Sequence, residues 1–98
     1  MPDNENNKRE YNRKPITTEL KLSSKEWKDV LLDNKMFIIE SENQSFKIGD
    51  TLILREWTGK LYTGWRLTRK ISYISPFGYH GIKRGFIAIG IIEIEERE

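Results

Sequence analysis

The chain has 98 residues, 33% of them charged, a formal net charge of +2 and no cysteine. That length makes one domain with one modest core, and the missing thiols exclude a disulfide framework and thiolate chemistry. A single histidine, His80, excludes a histidine-based metal cluster without carboxylate partners, and no run of ~18 apolar residues offers a membrane span.

Residues 1–16 are polar and Asn-rich, too poor in apolar side chains to offset the entropy of ordering, and read as a disordered tail. They lack the apolar core of a signal peptide, so the expectation is a cytoplasmic protein. The domain spans 17–94. Glu19-Leu20-Lys21-Leu22 alternates as a strand does. Ser23-Ser24-Lys25-Glu26 reads as a capping box opening a helix to about Asn34, with Trp27, Val30 and Leu31 on one face. Lys35 to Glu40 suits a short strand, and Gly49-Asp50 a turn before a strand over 51–57. Thr58-Gly59-Lys60 suits a hairpin connection into a long strand over 65–74. Along it Trp65, Leu67, Arg69, Ile71 and Tyr73 share one face, and Arg66, Thr68, Lys70 and Ser72 the other. A glycine-rich loop over 75–85 precedes Phe86 to Ile94, apolar on both faces like a central strand. Glu95, Glu96 and Glu98 end the chain as a short acidic tail that frays. About five strands and one main helix with short connections predict an α+β fold, a small barrel with the helix packed beside it.

Charge divides the domain. Residues 55–84 carry seven Lys and Arg against one acid, Glu56, and also hold Trp57, Tyr62, Trp65, Tyr73, Phe77 and Tyr79. Residues 17–50 carry five Lys against seven Asp and Glu. Cations bind phosphate and aromatic faces stack on bases, so this split points to a nucleic-acid surface, weighed against an ordinary solvated basic face.

The order of elements, with Phe46-Lys47-Ile48-Gly49-Asp50 running into Leu54-Arg55-Glu56-Trp57, resembles the ASCH domains of the PUA-like superfamily, and within them a small bacterial and phage group. The likeness extends over Glu19-Leu20-Lys21, Trp27 to Leu32, Ile71 to Ile74 and Gly85 to Gly90, about residues 17–92. It implies a β-barrel beside helices, a cleft between them and a role in binding RNA. The family's G-x-K-x-x-E-x-R motif falls here on Asp33 to Glu40. Lys35 is retained, but Asp33 replaces the glycine, Ile38 the glutamate and Glu40 the arginine. Some superfamily members are amidohydrolases acting on a modified cytidine with a cleft lysine, a threonine three positions on and a distant glutamate. Ile38 at the threonine position cannot be activated as a nucleophile, which argues against that activity.

The RNA-binding expectation assigns Lys35, Arg66, Lys70, Lys83 and Arg84 to phosphates, and Trp65 and Tyr79 to base stacking, in a groove between helix and barrel. Lys35 is equally readable as an ordinary lysine at a helix end. Trp57 reads as core. Arg69, among apolar neighbours, is expected to pair with Glu56 or another buried carboxylate. No cofactor or metal is required. The alternatives are a hydrolase of a modified nucleoside and a protein-interaction module with a degenerate cleft.

Overall fold

The computed structural model describes residues 13–75 and 81–94. Six elements follow one another: β1 (Thr17–Ser23), α1 (Ser24–Leu31), β2 (Phe37–Ser41), β3 (Thr51–Trp57), β4 (Tyr62–Ser75) and β5 (Phe86–Glu93). The strands form one sheet in the order β1-β3-β4-β5-β2, with β1 and β3 parallel and every other pair antiparallel. The result is a small α+β fold, a half-barrel of five strands with one helix. No described helix is long and apolar enough to cross a membrane.

The expected closed barrel is corrected here: among the described residues β1 and β2 stand at opposite edges and do not pair. The concave side is filled by α1 instead. The helix links β1 to β2 and lays Trp27 and Val30 on a core of Leu20, Leu22, Ile38, Leu52, Leu54, Ile71 and the β5 isoleucines 87, 89 and 91. The Trp27 Nε1–H donates to the Leu54 carbonyl at 3.0 Å, which locks the helix against β3. Burying each such side chain stabilises the fold by roughly 1.5–3 kcal/mol.

Local chemistry sets the element ends. Ser23 caps the helix, its Oγ accepting from the Glu26 N–H at 3.2 Å. The reciprocal half of the capping box is missing, because the Glu26 carboxylate takes Lys35 at 2.7 Å. The helix stops at Leu31, earlier than Asn34, since Asp33 adopts a left-handed φ of 62°. Lys35 is not yet in a strand: its N–H still bonds the Asp29 carbonyl at 3.1 Å. Strand β4 begins at Tyr62 because pairing with β3 extends to Trp57 opposite Tyr62. A register shift between Ile71 and Tyr73 then breaks the expected alternation, so Tyr73 turns outward and Ile74 packs on the core. Gly90 lies opposite Tyr73, and a Cβ there would stand 3.2 Å from the Tyr73 Cβ.

The Gly49-Asp50 turn is held by a buried carboxylate. Asp50 accepts two hydrogen bonds from Arg13, at 3.1 and 3.0 Å, and one each from the N–H groups of Ile16 and Lys47. Burial pushes its carboxyl up, but Arg13 and the two backbone donors outweigh that and hold it below the usual carboxylate range. Arg13 therefore binds the last part of the stretch expected as a tail, residues 13–16, to the sheet.

Candidate nucleic-acid interface

Strand β4 divides the basic residues between two faces. Ile71 is buried in the core, and Trp65, Leu67 and Arg69 share its side. Because α1 packs on β1 and β3, this side of β4 is left beyond the helix as the wall of a groove. One part, about 420 Å³, lies between Trp27, Lys28 and Leu31 of α1, Glu56 of β3, and Trp65, Arg66 and Leu67 of β4. The other, also about 420 Å³, is lined by Asp33 and Lys35 after the helix, Arg69 on β4, and Ile91 and Glu93 on β5.

Trp65 is 67% exposed, and among the described residues no ring or cation lies against it. Exposed tryptophan beside a groove rimmed by two cations, Lys28 and Arg66, and one carboxylate, Glu56, already bonded to Thr63, suits stacking on a planar ring. Lys35 is three-quarters buried and occupied: it pairs with Glu26 and lies 5.1 Å from the Phe37 ring centre. It is not the exposed helix-end lysine, and its ammonium is shared with Glu26. Nearby, burial and the charge of Glu26 push the Glu40 carboxyl up from its ordinary value. Ile38 is fully buried in the core, so β2 sends no hydroxyl toward the groove at that position.

The opposite face of the sheet carries Lys70, Thr68 and Arg66, paired in register with Thr51, Ile53 and Arg55. Its charges and rings already engage each other. Glu19 lies 3.4 Å from Arg55 and 3.6 Å from Arg66. Arg55 stacks on Tyr62 at 3.8 Å, Lys21 stands over Trp57 at 4.5 Å, and Trp57 meets Tyr62 edge-on at 4.9 Å. Trp57, expected in the core, is half-buried on this face.

The structure thus does not gather the expected residues into one site. Trp65 and Lys35 lie along the helix-side groove, and Arg66 borders it while pairing across the sheet with Glu19. Lys70 is on the far face. Lys83 and Arg84 precede β5, roughly 23 Å of strand from Glu93 at ~3.3 Å per residue. Lys83 lines a separate hollow with Ile39, Ile82 and Phe86. Tyr79, with Phe77 and His80, lies outside the described residues.

Arg69 is the residue the sequence reading misassigned. It stands opposite Leu52 and Glu93, four positions of β3 away from Glu56, whose carboxylate instead accepts from Thr63 Oγ1 at 2.9 Å. Its place on the apolar face was legible from the alternation; its neighbour in the sheet was not.

Comparison of the sequence with curated proteins finds no match. A family model described as a domain of unknown function, DUF3850, matches residues 17–91, from the first residue of β1 to within two residues of the end of β5. The chain belongs to the DUF3850 family.

Proposed function

We propose that this domain binds RNA, or another single-stranded nucleic acid, along the groove between α1 and β4. The observation carrying the reading is the bare, two-thirds exposed Trp65 at the mouth of that groove, with Lys28 and Arg66 beside it. A base stacks on the indole, and the two cations hold the backbone on either side. On the sequence resemblance we read the family as a PUA-like fold of the ASCH type, working in the cytoplasm without a cofactor; the half-barrel of five strands beside one helix keeps the strand and helix content of that reading though not the closed barrel.

The test is fluorescence anisotropy of short labelled RNA and DNA, single-stranded and duplex, at two salt concentrations. Salt-sensitive binding that prefers single strands is expected. Trp65→Ala should lower affinity roughly tenfold, since stacking on one aromatic ring contributes about 1–3 kcal/mol per base. Equal affinity for duplex and single strand, or an unchanged Trp65→Ala, removes the reading.

A second reading, a protein-interaction module, is favoured by the outer face of β5 and β2. Phe37, Ile39 and Phe86 there, with Tyr73 on the adjoining β4, are each 38–54% exposed, an apolar surface of the kind that marks contact sites.

A further inference from the structure

The groove's second part holds a cation that the fold leaves without a carboxylate. Arg69 is only 9% exposed. Its Nη1 donates to the carbonyl of its own neighbour, Thr68, at 3.0 Å, and among the described residues its guanidinium makes no other hydrogen bond and no ion pair. Yet no wholly buried side-chain nitrogen lacks a partner. The remaining guanidinium nitrogens therefore reach accessible space, and Arg69 borders two hollows there: the cleft it shares with Lys35 and Met36, and a neighbouring one with Thr68 and Ile94, Glu93 standing at both. A guanidinium has five N–H donors in a planar fork matched to two oxygens of one anion. Those nitrogens have no protein acceptor among the described residues, so an anion entering the cleft meets a fork already placed to take two of its oxygens.

The neighbours narrow the ligand. Lys35 shares the cleft but is neutralised by Glu26. Asp33 and Glu93 are exposed residues at the rim, where water screens them, and Glu93 sits directly across from Arg69 in the sheet. A floor with one half-partnered cation and a rim with two carboxylates suits one phosphate group and opposes a cluster of them. The cleft, about 420 Å³ with Met36, Ile91 and Ile92 on its wall, is far larger than a bare ion and falls within the range of small-molecule sites.

We infer that Arg69 is the floor of a one-nucleotide pocket: its fork takes the phosphate, and the sugar and base lie against Met36 and the β5 isoleucines. The choice of phosphate over another anion rests on the nucleic-acid reading of the groove. Glu93 competes with the ligand for Arg69. Removing the guanidinium fork and removing Glu93 therefore act in opposite directions, which a merely structural Arg69 would not produce.

The experiment titrates the full chain and its Arg69→Lys and Glu93→Gln variants with the four ribonucleoside 5′-monophosphates and the matching nucleosides by calorimetry, and with labelled single-stranded RNA by anisotropy. Expected are nucleotide binding without nucleoside binding, at least tenfold weakening in Arg69→Lys, and tightening of about threefold in Glu93→Gln. The Glu93 variant lies on the surface and keeps the test valid if Arg69→Lys is unstable. Nucleosides binding as well as nucleotides, no nucleotide binding at millimolar concentration, or an unchanged affinity in Glu93→Gln overturns the pocket. If RNA binds through Trp65 while nucleotides do not, the pocket fails and the groove reading stands. If nucleotides bind as expected and RNA does not, the pocket stands with a free nucleotide as its source of phosphate.

Discussion

Replacing Asp50 with asparagine removes a charge that four donors converge on, with only 1% of the residue exposed. Asparagine keeps the shape and one acceptor oxygen, but turns an NH₂ toward Arg13 or toward a backbone N–H. Hydrogen bonds to a charged group contribute about 1.5–3 kcal/mol each and do not add, while breaking a buried ion pair costs about 3–5 kcal/mol. A loss of about 3 kcal/mol follows. Domains of this size have about 5–15 kcal/mol in all, and 1 kcal/mol moves Tm by about 4–8 °C, so Tm should fall by roughly 12–24 °C. Arg13→Gln breaks the same ion pair but leaves the two backbone donors on the carboxylate, and should cost about 3 kcal/mol as well. The sign with pH is fixed by the lowered folded-state value. Stability from Asp50 is complete above the unfolded carboxyl range, near pH 4, and is lost as pH falls through the depressed value. Urea unfolding followed by tryptophan fluorescence, at pH 7 and at steps down to pH 2, measures both effects. An Asp50→Asn variant within about 0.5 kcal/mol of the parent at pH 7, or with the same acid limb, refutes the argument that this carboxylate organises the turn.

Three further outcomes are expected. Trp27→Phe loses the buried Nε1–H bond to Leu54 and strands that carbonyl, costing about 1–3 kcal/mol in urea unfolding. Glu40→Gln should stabilise the protein at neutral pH. The Glu40 carboxyl is raised by burial and by Glu26, so the folded state binds its proton more tightly and stability falls as pH rises from the ordinary glutamate range through the raised value; thermal melts across that range should be flatter in the variant. In RNA titrations Arg66→Glu, at the groove edge, should weaken binding and reduce its salt dependence, whereas Lys70→Glu, on the far face, should change affinity less than about twofold.

Much of the fold follows from the chain's local chemistry. Strand β3 runs over the expected residues because Leu52, Leu54 and Glu56 alternate inward between a turn and a hairpin connection. Ser23 opens the helix as its side chain demands, and the β4 alternation correctly separates Arg69 and Ile71 from Thr68 and Lys70. Two of the departures from local reading share a cause. The closed barrel, and the pairing of Arg69 with Glu56 or another buried carboxylate, both depend on which strands lie side by side.

Periodicity, caps and turn chemistry act over a few residues, so the sequence by itself determined the elements, their inward faces and the basic, aromatic character of residues 55–84. The tertiary structure decides that the sheet stays open, that Glu26 takes Lys35 instead of closing the capping box on Ser23, and that one face of β4 keeps Trp65 bare while Arg66 on the other pairs with Glu19. These are outcomes of strand order and helix placement. A contact between residues far apart in the chain is set by the packing that satisfies the whole core at once, and no short stretch of sequence carries that information.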